Sequence, residues 1–271
     1  MKATEKLILK NKEHKFVCVG LDTDLKKIPE HLLNYNNPIL EFNRRIIEAT
    51  EQYAAAYKIN FAFYEVLGKK GFELIEETLK LIPGDVLTIA DAKRGDIGNT
   101  SEMYAKSVYE HFGFDSVTLN PYMGMDSLQP FLNYSEKLNF VLTLTSNPGS
   151  SDFERQVLND GSYLYQKIIY SISNRNAEKN CGIVFGATNL EEIKSNISSF
   201  SDLTVLLPGV GAQGGSFEEV LKIFQTHNRK NFVVNISRGL LYLSDKEDFA
   251  QRTEQEIKLL NQLANRIFSV T

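Results

Sequence analysis

Short apolar runs recur along the chain, and each is followed by a stretch with helical spacing of its apolar residues. The runs are rich in β-branched and aromatic residues and are apolar almost throughout, which is typical of strands covered on both faces. Eight are predicted, at residues 16–21, 54–59, 86–90, 116–119, 140–144, 182–185, 203–207 and 232–236.

The stretches between these runs predict amphipathic helices, because their apolar residues recur every three or four positions. The pattern is clear at residues 39–49, 74–82, 217–224 and 249–268, and a shorter helix is predicted near the N-terminus. Asn99, Thr100, Ser101 and Glu102 are predicted to open a further helix, because residues of these types cap helix N-termini. Eight β-then-α units predict an α/β fold, a closed (β/α)8 TIM barrel forming a single domain over residues 1–271. An open doubly wound sheet is the alternative, and it would need fewer strands or an edge strand.

Composition narrows the class of protein. The 271 residues are 42% hydrophobic and 24% charged with a net charge of −4, as in ordinary soluble globular proteins. No long basic block or apolar run of roughly 18 residues suggests nucleic acid or membrane binding. Two cysteines, Cys18 and Cys181, lie in or beside apolar runs and are expected to be buried and reduced. Four scattered histidines show no metal-ligand spacing, so a cytoplasmic, metal-independent protein is expected.

Polar residues stand where the predicted strands end, and a barrel carries its chemistry on that side. The polar residues are Asp22, Lys58, Asn60, Asp91, Lys93, Asn120, Thr145, Ser146, Asn147, Ser237 and Arg238, and Pro208 and Gly209 follow the seventh run. A single such residue would ordinarily be a solvated rim group. Charged residues at the ends of at least four strands instead indicate one shared site.

Asp91 and Lys93 are two positions apart, so on a strand they share a face. With Asp22 and Lys58 from the two preceding strands they can form an alternating network of carboxylates and ammonium groups. A purely structural salt-bridge cluster is the alternative, but burying one brings little stability because desolvation offsets the attraction. Asp96 lies past the strand and must fold back or act elsewhere.

The loops after the seventh and eighth predicted strands are typical of a phosphate site. Residues 208–220 carry Gly209, Gly211, Gly214 and Gly215 ahead of a helix, which lets backbone N–H groups approach an anion. Arg238 adds a planar group that suits phosphate. A merely flexible glycine loop is the alternative. The connection at residues 147–160 is long for a barrel loop and is a candidate lid.

Several short motifs together resemble those of the orotidine 5′-phosphate decarboxylase family, in its longer second branch. D-x-K-x-x-D stands at residues 91–96 and is followed by IGNT. VGLD at 19–22, YKIN at 57–60, LTSNPG at 144–149, LLPGVGAQGG at 206–215 and ISRG at 236–239 occur in the family's order. The match spans residues 17 to about 240.

The resemblance implies that orotidine 5′-monophosphate is converted to UMP and CO2, the last step of de novo pyrimidine synthesis, without cofactor or metal. It also implies a homodimer with shared active sites. By position, the catalytic group is Lys58, Asp91, Lys93 and Asp96, with Lys93 as proton donor and with Asp96 and Thr100 reaching into the partner's site. The implied substrate-binding residues are Asp22, Lys58 and Asn60 for ribose, Ser146 or Thr145 with Pro208 for the pyrimidine, and Gln213, Gly215, Arg238 and Gly239 for phosphate.

Three other functions fit parts of this pattern. A magnesium-dependent sugar-phosphate decarboxylase or hexulose-phosphate synthase on the same barrel would need a further acidic ligand, for which Glu65 is the nearest candidate. A non-catalytic protein that binds a phosphorylated ligand would need only the glycine loops and Arg238. A Schiff-base aldolase would use Lys58 or Lys93.

Overall fold

Eight parallel strands close into a barrel in the order in which they occur along the chain, as predicted. The structure is a computed structural model that describes residues 1–211 and 214–269. The strands are β1 (Val17–Gly20), β2 (Ala56–Asn60), β3 (Leu87–Arg94), β4 (Ser116–Leu119), β5 (Leu138–Leu144), β6 (Cys181–Phe185), β7 (Thr204–Leu207) and β8 (Phe232–Ile236). Since β1 pairs with both β2 and β8, the sheet has no free edge.

Helices alternate with the strands and cover the outside of the barrel. They are α1 (Ala3–Lys12), α2 (Pro38–Thr50), α3 (Phe61–Glu65), α4 (Lys69–Leu81), α5 (Gly98–Lys106), α6 (Gln129–Leu132), α7 (Leu164–Ser173), α8 (Leu190–Asn196), α9 (Phe217–Thr226), α10 (Arg238–Leu241) and α11 (Phe249–Phe268). The predicted apolar stripes face the strands, since Phe42, Ile46, Val220 and Phe224 are buried. No helix in the described ranges has the length and apolar character needed to cross a membrane.

The hydrophobic core has two parts. The larger lies between the strands and the helices, and the smaller fills the barrel interior. Ala3 and Leu7 of α1 belong to the interior cluster, so this helix closes the N-terminal end of the barrel. The end where the strands finish is the one that α1 leaves uncovered.

Two local expectations were wrong. Strand β3 continues to Arg94, four residues beyond its predicted end, because the Lys93 N–H finds a partner on β4 in the Thr118 hydroxyl at 3.0 Å. Helix α5 begins at Gly98 after an N-cap residue, Ile97, whose side chain makes no capping bond. The predicted capping residue Ser101 therefore lies inside the helix, where its hydroxyl donates to the Ser127 carbonyl at 2.6 Å.

Candidate active site

A cavity of about 500 Å³ opens at the end of the barrel where the strands finish. The predicted residues that line it are Asp22, Lys58, Asn60, Asp91, Lys93, Thr145, Ser146, Asn147, Pro208, Gly209, Ser237 and Arg238. They come from β1, β2, β3, β5, β7 and β8 or the loops after them. The closed sheet thus brings into one cavity polar groups that are more than 200 residues apart in sequence.

Four charged side chains form a continuous network on one side of this cavity. Lys58 Nζ lies 2.8 Å from Asp91 Oδ2 and 3.3 Å from Asp22 Oδ1. Lys93 Nζ donates to Asp91 Oδ1 at 2.6 Å. The charges alternate from Asp22 through Lys58 and Asp91 to Lys93, and we refer to these four residues as the charge network.

The two central side chains of the charge network, Lys58 and Asp91, are buried, and the terminal one, Lys93, is exposed. The side chain of Lys58 is 4% exposed and that of Asp91 is 10% exposed, whereas that of Lys93 is 50% exposed. Burial alone would raise the pKa of Asp91, but the nearby ammonium groups of Lys58 and Lys93 hold that pKa well below its usual range. Burial alone would lower the pKa of Lys58, but Asp91 and Asp22 keep it above its usual value. Both central groups are therefore charged at neutral pH.

The backbone of β3 is distorted where it presents Lys93 to the cavity. Lys93 has φ +46°, a left-handed conformation that few residues other than glycine adopt, and the pairing of β3 with β4 shifts register between Ala90 and Arg94. Thr118 holds this segment, because its hydroxyl accepts from the Lys93 N–H and donates to Asp91 Oδ1, each at 3.0 Å. Strain of this kind collects at functional sites, where the surrounding structure maintains it.

The segment after β5 forms another wall of the cavity. The Thr145 hydroxyl donates to the Glu154 carboxylate at 2.9 Å, and Glu154 also accepts from the Thr145 N–H at 2.6 Å. Glu154 thereby ties the candidate lid at residues 147–160 to the strand end. Gly186 lets the segment after β5 pack closely against the end of β6, because a Cβ there would lie 2.8 Å from the Ser146 nitrogen.

The glycine loop after β7 folds back on itself beside the cavity. Gly209 has φ +100°, and its carbonyl accepts from the Gly215 N–H at 3.0 Å. Pro208, Gly209 and Arg238 line the cavity, whereas Gly215 and Gly239 do not. Gln213, predicted as a phosphate ligand, lies outside the described residues.

Two other predicted site residues lie away from their own chain's cavity. Asp96 accepts from the Ile97 N–H at 2.8 Å, and Thr100 is exposed on α5. Neither residue lines the cavity.

The structure adds cavity residues that sequence patterns missed: Lys27, Phe63, Thr118, Leu142, Val184, Leu206, Val210 and Asn235. Asn235 is buried at the end of β8, where its amide donates to the Ser237 hydroxyl at 3.3 Å while its carbonyl oxygen has no partner. A polar residue within an apolar run was the available signal for Thr118 and Asn235. Lys27 lies well past its strand, and no local pattern marks it.

The acidic residues, histidines and cysteines that a metal site would use lie apart from one another or outside the cavity. Within residues 1–211 and 214–269, no three His, Cys, Asp or Glu side chains gather as a metal site would require. Glu65, the candidate acidic ligand, is paired with Arg94 at 2.5 Å and does not line the cavity. Cys18 and Cys181 are buried and free, as expected, and burial raises the pKa of the Cys181 thiol to about 11.

Comparison with known proteins agrees with this geometry. A family model described as "Orotidine 5'-phosphate decarboxylase / HUMPS family" matches residues 15–253. A curated relative from Christiangramia forsetii, named orotidine 5'-phosphate decarboxylase, is 45% identical over 260 residues, which cover 94% of this chain and 95% of the relative.

Solved structures give the same result. OMP decarboxylase from Leishmania donovani superposes with a TM-score of 0.82 at 33% identity, covering 97% of this chain and all of that one. UMP synthase from the same organism superposes with a TM-score of 0.83 at 35% identity over 96% of this chain, which spans only 57% of that longer protein. The family match over most of the chain, the close relative and the shared barrel establish that this chain belongs to the orotidine 5′-phosphate decarboxylase / HUMPS family.

Proposed function

We propose that the cavity binds orotidine 5′-monophosphate and converts it to UMP and CO2. The observation that carries this proposal is the charge network, which ends in a half-exposed ammonium group inside a cavity that Arg238 also lines. Curated relatives that match this chain over at least 90% of its length are named for the same activity, which supports the proposal.

The reaction needs electrostatic stabilisation. When the bond between C6 and the carboxylate breaks, its electron pair stays on C6 in an orbital in the plane of the ring, which the ring π system cannot delocalise. A fixed positive charge beside C6 is the protein's means of lowering that barrier. Lys93 supplies this charge and then donates a proton from Nζ to C6, which completes UMP.

Asp91 has two functions in this scheme. It holds the Lys93 ammonium group through the 2.6 Å contact, and it stays ionised because Lys58 and Lys93 outweigh the effect of burial. A carboxylate fixed in this way also disfavours the substrate's own carboxylate in the ground state. The central pair therefore orients Lys93 and adds to the driving force for loss of CO2.

The phosphate lies at a distance from C6 and contributes binding energy that organises the network. Arg238 is the proposed phosphate ligand on the cavity wall, and the family resemblance also assigns Gln213, Gly215 and Gly239 to the phosphate. Asp22, Lys58 and Asn60 are the proposed ribose ligands, and their shared place in the cavity lining, on or just after the paired strands β1 and β2, supports this assignment.

Ser146 is the proposed contact to the pyrimidine edge, with Pro208 packing nearby. The sequence left Thr145 and Ser146 open. The Thr145 hydroxyl donates within the chain, to Asn147 Oδ1 at 2.6 Å or to Glu154 Oε1 at 2.9 Å, so its one proton is already in use.

We further propose a homodimer in which Asp96 and Thr100 complete the partner's site. Neither residue lines the cavity of its own chain. Large apolar side chains nearby in sequence are exposed, as is common where two proteins meet: Ile97 is 57% exposed, Met103 54% and Tyr122 81%. Mixing inactive Lys93→Ala and Asp96→Ala subunits tests this. Recovery of activity supports a shared site, and no recovery despite exchange of subunits would contradict it.

Absorbance-monitored turnover of orotidine 5′-monophosphate, with and without EDTA, tests the proposed reaction. We expect decarboxylation at an equal rate in both. No turnover by the folded protein would overturn the proposal, and turnover that EDTA abolishes would favour the magnesium-dependent alternative.

A further inference from the structure

Lys27 lines the cavity from the loop after β1, and its ammonium group is loosely held. Its side chain is 51% exposed, and Nζ lies 4.0 Å from Asp24 Oδ2 and 5.7 Å from the centre of the Tyr242 ring. An ion pair this exposed and this long holds the ammonium group only weakly, because solvent screens it. The ammonium group is therefore free to turn toward a ligand in the cavity.

Tyr242 fixes the loop that carries Lys27. Its hydroxyl donates to the Asp22 carbonyl at 3.0 Å and accepts from the Asp24 N–H at 2.9 Å. Burial raises the pKa of Tyr242 to about 12, so the hydroxyl keeps its proton at neutral pH. Tyr242 directly follows α10, which begins at Arg238. The loop with Lys27 is thus attached to the helix that carries Arg238.

The charge of the cavity shows what Lys27 adds. The charge network holds two carboxylates and two ammonium groups, which cancel. Apart from Lys27, Arg238 is then the only remaining charged group among the described residues that line the cavity. A phosphate monoester carries about −1.5 to −2 charges at neutral pH, so one guanidinium leaves it incompletely balanced.

We propose that Lys27 is a second cation for the phosphate of the nucleotide, and that Tyr242 is a positioning residue for it. The inference rests on the proposed function, in which Arg238 holds that phosphate. Lys27 supplies a point charge from the β1 side of the cavity while Arg238 supplies directed hydrogen bonds from the β8 side.

Binding of UMP and uridine to the full chain, measured by calorimetry, tests the role of Lys27. Lys27→Met keeps the length of the side chain and removes its charge. We expect the Kd for UMP to rise about tenfold, equivalent to about 1.4 kcal/mol. The Kd for uridine should stay within twofold, since uridine lacks the phosphate.

Lys26→Met is the matched control, because Lys26 is exposed on the same loop and does not line the cavity. We expect it to bind UMP like the unchanged protein. The salt dependence of UMP binding should become shallower only in Lys27→Met. Equal weakening of UMP and uridine, or no weakening of UMP, would overturn the inference.

Tyr242→Phe tests the positioning role, because it removes the two loop hydrogen bonds and keeps the ring. The ratio of the uridine Kd to the UMP Kd measures how strongly the phosphate contributes to binding. We expect Tyr242→Phe to lower this ratio, and to lower it less in the Lys27→Met background. Full additivity of the two changes would show that Tyr242 does not act through Lys27.

The binding measurements are independent of turnover. If the unchanged protein binds UMP but does not decarboxylate orotidine 5′-monophosphate, the proposed function fails and the comparison of Lys27 with Lys26 still decides the inference. If turnover is normal and Lys27→Met leaves the Kd ratio unchanged, the inference alone fails.

Discussion

The two ends of the barrel each carry a lysine–aspartate pair, and the pairs are alike in length and burial. At the mouth, Lys58 and Asp91 are 2.8 Å apart with side chains 4% and 10% exposed. At the closed end, Lys6 and Asp115 are 2.8 Å apart with side chains 13% and 15% exposed. A cavity of about 390 Å³ lies beside the second pair, so neither burial nor an adjacent cavity distinguishes the ends.

What differs is the third group that each aspartate holds. Asp115 accepts from the backbone N–H and the hydroxyl of Thr88, at 3.0 and 3.1 Å. Because Lys6 lies on α1 and Thr88 lies on β3, Asp115 links that helix to that strand. Asp91 instead holds Lys93, a half-exposed ammonium group on strained backbone. The comparison teaches that a buried ion pair indicates function when it orients a further, accessible charge, and indicates structure when its remaining bonds go to an uncharged residue of a neighbouring strand.

Removing the accessible charge should have the largest effect on activity. We expect Lys93→Ala to lower kcat for decarboxylation at least 10³-fold, as loss of a proton donor and a stabilising charge predicts. Stability should change by less than about 1 kcal/mol, because the side chain is half exposed. Turnover and urea unfolding measure the two quantities, and near-normal turnover would contradict the assigned role.

Breaking the central pair should have the largest effect on stability. Lys58→Met leaves Asp91 and Asp22 buried without their shared cation, and removing one partner of a buried pair costs about 3–5 kcal/mol. We expect that loss in the free energy of unfolding at pH 7, together with loss of activity.

The destabilisation by Lys58→Met should shrink as the pH falls. The pKa of Asp91 is depressed in the folded protein, so its stabilising contribution exists above the unfolded value of about 3.9 and is lost below it. Without Lys58 that pKa rises, because Lys93 alone then balances the carboxylate, and protonation removes the excess buried charge. A destabilisation that grows between pH 7 and pH 5 would contradict this account.

The barrel was predictable because its signals are local. Each predicted strand is an almost continuous apolar run, and the helices repeat their apolar residues at three and four positions, so the order of elements could be counted. The end of β3 was not predictable, because its extension depends on the contact between Lys93 and Thr118 on another strand. The start of helix α5 was predicted to within one residue, but its cap was not, since Ser101 bonds to Ser127 rather than to its own helix end.

The candidate site was predictable in part. Asp22, Lys58, Asp91 and Lys93 stand at strand ends, where charge is conspicuous. Asn235 lies within an apolar run, and its polar side chain was the one local signal of a place in the site. The place of Lys27 in the cavity depends on Tyr242, which is distant in sequence and determines the shape of the loop after β1.

Removing the lysine of the pair at the closed end should lower stability without lowering activity, which is the opposite of the result expected for Lys93→Ala. Lys6→Met should lower the free energy of unfolding by about 1–3 kcal/mol, the range for a lost hydrogen bond to a charged group, since Asp115 keeps its bonds to Thr88. Decarboxylation should be unchanged, because Lys6 lies at the other end of the barrel. A fall in kcat without a fall in stability would remove the distinction between the two pairs.

The smallest effect is expected at a third pair, which joins the same helix to the barrel. Lys10 lies 2.6 Å from Asp85, whose side chain is 61% exposed. Solvent screens such a carboxylate, so we expect Lys10→Met to change the free energy of unfolding by less than about 1 kcal/mol. Because α1 carries both lysines, the difference between Lys6→Met and Lys10→Met in urea unfolding isolates the contribution of a buried aspartate anchored to the backbone. Equal losses would mean that the attachment of α1 does not depend on the buried carboxylate.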